Sequence, residues 1–208
     1  MRTNRPYRNK DMNKPPYKII TDPGHGGKDD GAVSPDGVKE KDVVLQIGQL
    51  FKRVVVQGDY LYYAYLTRFS DRYLTLPARC KLANDRNVDL FISLHLNSFW
   101  TPQPEGVEVW YKKKCKKSLS LAAELYLSLL NLMPGISGRG VKSSADAPHG
   151  SLYVLENVNM PASLIEFEFL SNPQEFVSSI EDKRRIVKGL AETVEEFLEG
   201  GEHVQGYN

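Results

Sequence analysis

The chain alternates between two apolar periods. Tyr17-Lys18-Ile19-Ile20-Thr21 is a short β-prone run that breaks into Asp22-Pro23-Gly24-His25-Gly26-Gly27, a strand passing into a glycine loop. After the turn-rich Ser34-Pro35-Asp36-Gly37, residues 40–56 place Val43, Val44, Ile47, Leu50, Phe51 and Val54 at helical spacing. Residues 60–67 are aromatic and read as a second strand, and 76–87 as a helix with Pro77 in its first turn. The nearly continuous apolar run 88–94 predicts a strand covered on both faces. Further strands are predicted at 106–111, 140–142, 152–155 and 162–167, with helices at 118–131 and 181–198. Strands alternating with helices predict an α/β fold: a single domain with a twisted, mainly parallel sheet flanked by helices on both faces. That domain is expected over 17–199. Residues 1–16 read as a flexible lead-in and 200–208 as a polar tail.

Composition narrows the function classes. With 208 residues, 41% apolar and 25% charged, the chain is globular and long enough to bury a core. Its 27 basic and 26 acidic residues leave a formal charge of +1, so no global field recruits nucleic acid or a membrane surface. No apolar run approaches the ~20 residues of a membrane-spanning helix. The basic segment 1–16 lacks the apolar stretch of a secretory signal. Cys80 and Cys115 are expected to be free thiols.

In parallel sheets, ligands collect at the carboxyl ends of strands. His25 follows the first predicted strand, His95 closes the strand ending at Leu94, and Glu166 lies in the last strand. Glu40 opens the first helix, where a carboxylate meets a favourable dipole. Two histidines and a carboxylate are a common ligand set for catalytic zinc, and a second glutamate nearby supplies a general base. Taken singly, each of these residues is equally an ordinary turn or strand-end residue. Their joint position at strand ends, beside a glycine loop, is what points to a site.

Asp22-Pro23-Gly24-His25-Gly26-Gly27, Glu40-Lys41-Asp42, Thr67-Arg68, Ala83-Asn84, Ser93-Leu94-His95-Leu96-Asn97-Ser98 and Leu164 through Asn172 occur in the order found in zinc N-acetylmuramoyl-L-alanine amidases. The chain closely resembles that family (amidase type 3, which includes cell-separation enzymes and phage endolysins) from about residue 17 to 198. The resemblance implies one Zn2+ per chain on His25, Glu40 and His95, with Glu166 as catalytic base. It further implies peptidoglycan as the substrate, cut between N-acetylmuramic acid and the L-alanine of the stem peptide. Two rival expectations stay open: a zinc peptidase acting further along the stem, and a non-catalytic wall-binding protein of the same fold. The resemblance places the action at the bacterial cell wall, reached either as an endolysin does or after removal of a leader. The chain is expected to be a monomer.

One position departs from the family, which usually carries glycine where this chain has Glu168. Residues i and i+2 of a strand share a face, so Glu168 is expected on the Glu166 side, either as a second acid or substrate contact or pointing to solvent at the strand end. Asn97 and Asp22 are candidates for supporting the ligands, or for simple turn roles. His149 is read as a surface loop residue and His203 as part of the tail. Phe99-Trp100 are candidates for stacking on sugar rings. Lys112 to Lys117 form a charge run that either binds anionic wall polymers or is a solvated connection.

Overall fold

The computed structural model describes residues 17–100, 104–147, 152–171 and 177–200. Strands β1 (Tyr17–Pro23), β2 (Tyr62–Leu66), β3 (Leu90–Asn97), β4 (Val107–Tyr111), β5 (Gly138–Ser143) and β6 (Ala162–Phe169) form one sheet, ordered β2-β1-β3-β6-β4-β5. The β2, β1, β3 and β6 strands run parallel. β4 reverses against β6, and β5 runs with β4. The starts of β4 and β5 therefore lie at the same edge as the carboxyl ends of the other four.

Helices α1 (Glu40–Gln57), α3 (Lys116–Leu132) and α5 (Ile180–Leu198) cover one face. Their apolar stripes meet the inward side chains of the strands: Val44 and Ile47, Leu121, Leu125 and Leu129, and Ile186 and Leu190 pack on Ile19, Ile92, Leu94, Ile165 and Phe167. Each buried Leu or Ile contributes roughly 1.5–3 kcal/mol by leaving water. Local chemistry sets the helix starts. Thr75 Oγ1 accepts the Ala78 amide at the head of α2 (Leu76–Asp85), and Ser179 Oγ accepts the Asp182 amide at the head of α5.

The opposite face is covered more sparingly. Cys80 and Ala83 of α2, with Val154 and Leu155 of α4 (Tyr153–Asn157), pack on Ile20, Phe91, Trp110 and Leu164. These helices have only 10 and 5 residues, against 17 to 19 for the other three. The face stays open toward the carboxyl ends of β1, β3 and β6.

Helices on both sides of a mostly parallel mixed sheet agree with the sequence pattern; two local expectations do not. Residues 152–155 are not a strand. The amides of Leu155 and Glu156 both turn back to the Leu152 carbonyl, at 3.0 and 3.2 Å, and start α4. That helix buries Val154 and Leu155 beside α2, which rewards coiling more than an extended run would. The third strand also continues past Leu94 to Asn97, so His95 lies inside a strand. Among the described residues no helix is long and apolar enough to cross a membrane, and both cysteines are free thiols, Cys80 being buried.

Candidate metal centre

The loop after β1 is held by two buried arginines. Arg68, fully buried, donates from Nε to the Pro23 carbonyl (2.9 Å) and from Nη2 to the carbonyls of Gly24 and Lys41 (both 2.7 Å). Arg79 donates to the Asp22 carboxylate (2.8 Å), the Pro23 carbonyl (2.7 Å) and the His25 carbonyl. Asp22 also accepts from the Thr67 and Ser93 hydroxyls. It supports His25 through Arg79 and the backbone, and makes no direct contact with the ring.

The conformation of this loop is specialised. His25 adopts φ 57°, the left-handed region where a side chain is uncommon, followed by Gly26 at φ 121°. A Cβ on Gly26 would stand 2.3 Å from the Arg72 carbonyl oxygen, and one on Gly24 would stand 2.3 Å from His95 Cε1. Glycine at 24 thus lets the loop close on the His95 ring.

Three side chains converge there. His25 Nε2 and His95 Nδ1 lie 3.1 and 2.9 Å from the same oxygen, Glu40 Oε1, and the two rings meet edge to face at 5.1 Å. One donor atom from each residue lies within 4.8 Å of the others, a grouping able to hold a metal ion. The Ala32 amide donates to Glu40 Oε2 (2.9 Å) and the Leu96 amide to Oε1 (3.0 Å), which fixes the carboxylate. Asp29 Oδ1 lies 2.9 Å from His25 Nδ1. A proton held there leaves Nε2 as the coordinating atom, the usual way an outer carboxylate orients a metal-bound imidazole. Two imidazole nitrogens and a carboxylate oxygen aimed at one point fit a divalent cation of borderline softness.

Electrostatics follow the same convergence. Burial opposes charge on Glu40, yet the bonds from His25 and His95 outweigh it and hold its carboxyl well below the usual range. Burial likewise opposes protonation of His25, but Glu40 and Asp29 raise its proton affinity above the ordinary imidazole.

Glu166 is the register partner of His95 across β3 and β6. Its Oε2 is buried and has no hydrogen-bond partner among the described residues. Burial, then the negative charges of Glu40 and Glu108, push its pKa well above the usual carboxylate value, while Lys142 acts the other way. An unpartnered carboxylate oxygen of raised basicity beside a ligand cluster is equipped to accept a proton.

Glu168 does not share that side. The register slips between His95↔Glu166 and Asn97↔Phe169, a bulge with one extra residue on β6 that breaks the i, i+2 alternation. Glu168 is buried, and the charge it acts on is that of Lys183 in α5, on the opposite face. The second carboxylate beside Glu166 is Glu108 of β4, its antiparallel register partner.

Asn97 donates to Glu108 (3.1 Å) and not to a metal-ligating residue. Lys112 and Lys113 of the charge run are engaged locally, with the Val158 carbonyl (2.6 Å) and Glu156 (3.3 Å). Phe99 and Trp100 are exposed and pack against each other. His149, Asn172 and His203 lie outside the described residues. Glu108, Asp29 and Arg79 went unrecognised in the sequence. For Asp29 the i+4 spacing from His25 in a glycine-rich loop was the available signal.

Fold and site together define an α/β protein with a His-Glu-His metal-binding cluster at the carboxyl edge of its sheet. Residues 19–196 match the Amidase_3 family, N-acetylmuramoyl-L-alanine amidase, and the chain belongs to that family. It is 35% identical over 182 residues to the endolysin of Bacillus phage SPP1, covering 86% of this chain and 65% of that protein. It is 32% identical over 149 residues to the N-acetylmuramoyl-L-alanine amidase AmiC of Escherichia coli O6:H1, covering 72% and 35%. The chain therefore spans just under two thirds and about one third of these relatives' lengths. The crystal structure of N-acetylmuramoyl-L-alanine amidase from Clostridium difficile 630 superposes with a TM-score of 0.82 at 28% identity, over 90% of this chain and all of that one.

Proposed function

We propose that the chain is a zinc-dependent peptidoglycan amidase that hydrolyses the bond between N-acetylmuramic acid and the L-alanine of the stem peptide. The observation that carries this reading is the convergence of His25, Glu40 and His95 beside Glu166, whose Oε2 has no partner among the described residues, in a chain of this family. Nε2 of His25, Nδ1 of His95 and Oε1 of Glu40 are the atoms that would hold one zinc ion. When bound, zinc polarises the scissile carbonyl, lowers the pKa of water and stabilises negative charge on oxygen. Glu166 takes the proton of the attacking water and passes it to the departing alanine nitrogen. Its raised basicity suits the first transfer, and the conjugate acid suits the second. Asp22, Arg68 and Arg79 keep His25 in place, and Asp29 sets its tautomer. The chain acts as a monomer on the bacterial wall.

The test is muropeptide analysis of purified peptidoglycan digested with the zinc-loaded chain, with and without chelator, alongside Glu166→Gln. The expected result is metal-dependent release of stem peptides with a free L-alanine amine, lowered ~100- to 10,000-fold in the variant. Cuts within the stem would reassign the protein as a peptidase. Metal binding without any new amine would leave a wall-binding role.

A further inference from the structure

The steps above leave unused the cations beyond Glu166. Along the cleft edge the strand order places His25 after β1, then His95 on β3, Glu166 on β6, Glu108 on β4, and Arg139 and Lys142 on β5. Glu108 is almost saturated. Its Oε1 accepts Asn97 Nδ2 (3.1 Å) and Trp110 Nε1 (3.0 Å), and its Oε2 accepts Arg139 Nε (2.9 Å) and Lys142 Nζ (2.5 Å). Two cations share the one Glu108 carboxylate.

The cations retain capacity for another partner. Their side chains are 36% and 31% exposed while that of Glu108 is 4% exposed, so the positive groups face outward. An ammonium has three donors, and among the described residues Lys142 spends one, on Glu108. Arg139 uses Nε on Glu108 and Nη1 on the Glu105 carbonyl, which leaves Nη2 without a partner among the described residues. Neither swings freely, since the guanidinium lies 4.9 Å from the Phe169 ring and the ammonium 5.2 Å from that of Trp110.

The other end of the site carries more apolar and aromatic surface. A cleft of about 480 Å³ runs from His25 and His95 past Tyr73, Leu74, Leu76, Leu152 and Tyr153; its charged lining residues are Asp29 and the buried Asp22–Arg79 pair. Amide hydrolysis tells the ends apart. The nitrogen that receives Glu166's proton belongs to the departing peptide, so the peptide half lies on the Glu166 side.

We infer that the stem peptide runs from Glu166 over β4 toward β5, with the α-carboxylate of its second residue bound by Lys142 and Arg139, while the muramoyl half occupies the cleft rimmed by Tyr73 and Tyr153. This rests on the amidase reading and adds a direction and a carboxylate-recognising subsite to it. Reach selects the second residue. Lys142 Nζ comes back over β4 to touch Glu108, about one strand spacing (~4.8 Å) from β6. One extended residue spans ~3.5 Å and its carboxylate adds a bond length or two. A third-residue group would overshoot by a further residue.

The test uses zinc-loaded full-length chain and two free stem tripeptides, one with a second-residue γ-linked glutamate and one with the corresponding carboxamide. Neither contains the scissile bond, so calorimetry reads binding without turnover. The wild type is expected to bind the acid about three- to tenfold more tightly than the amide at low salt, the range of a partly exposed charge-assisted contact. Lys142→Met is expected to bring the acid down to the amide's affinity. A merely structural role for Lys142 would weaken both peptides alike. Equal binding by the wild type, a preference that survives in Lys142→Met, or equal weakening of both peptides would overturn the subsite. Tyr153→Ala is expected to raise KM for the matching muropeptides without changing tripeptide affinity; a change in tripeptide affinity instead would reverse the assigned direction. A preference for the acid with no release of the alanine amine from any muropeptide would retain the subsite and refute the amidase reading.

Discussion

Replacing Arg79 with methionine removes a buried cation but keeps its length and apolar stem. The side chain is 3% exposed and paired to Asp22, itself 1% exposed, at 2.8 Å. Removal strands a buried carboxylate whose remaining bonds come from the Thr67 and Ser93 hydroxyls. Breaking one side of a buried ion pair costs roughly 3–5 kcal/mol. Asp22 also raises the proton affinity of Arg68 by its charge, so a second cation acts on the same carboxylate and the lower end, about 3 kcal/mol, is expected. At roughly 2–4 °C per kcal/mol for a chain of this size, Tm should fall by about 6–12 °C. The sharper expectation is coupling. If the cost is the stranded charge, Asp22→Asn added to Arg79→Met should cost at least ~1 kcal/mol less than the sum of the single changes. Thermal and denaturant unfolding of the four-member cycle measures this directly. Additivity within ~0.3 kcal/mol would refute the argument and assign the loss to packing around the arginine stem.

Three further outcomes follow from the same geometry. Gly24→Ala places a methyl 2.3 Å from His95 Cε1 and displaces that ring, so competitive chelator titration should show zinc affinity reduced ~10- to 100-fold; unchanged affinity would mean the ring has room to move. Burial opposes charge on Glu108, but Lys142 and Arg139 hold its carboxyl below the ordinary value of 4.5. Its contribution is therefore complete above that value and lost as pH falls through the depressed one, so the Tm gap between wild type and Glu108→Gln should be widest at neutral pH and close in acid. A gap that does not vary with pH would show that the charge of Glu108 contributes nothing. Burial pushes the Cys80 thiol up to about 11, so mass spectrometry after iodoacetamide treatment at pH 8 should find Cys80 unmodified in the folded chain and labelled only after denaturation.

Much of this was readable from the chain because the strands that carry the site are unambiguous. Ile19-Ile20 and Phe91-Ile92 are buried on both faces of a parallel sheet, which demands the continuous apolar runs seen in the sequence. The glycine loop marks where the first run must turn. Legibility failed where a residue's environment depends on another strand. Glu108 alternates with Val107 and Val109 and reads as the wet side of a strand, yet its side is closed by Trp110 and two cations from β5. Glu168 obeys the period of a regular strand only until the bulge, and nothing local to Glu166-Phe167-Glu168 announces an extra residue in the register. Tyr153-Val154-Leu155 is too short for its period to choose between helix and strand, and packing against α2 decides it.

The reversal of β4 and β5 also places the proposed peptide contact on different strands from the metal-binding cluster. The metal-binding cluster comes from the loop after β1, from α1 and from β3, and the proposed base from β6. The charged pair proposed to bind the peptide comes from an edge ribbon whose outer strand is half-exposed along its length. Substitutions at 139 and 142 leave the hydrogen bonds of the metal-binding cluster untouched, although Lys142 also acts by its charge on Glu166. Within one small domain, the peptide contact proposed for the edge ribbon can change without disturbing the bonds that hold His25, Glu40 and His95 together.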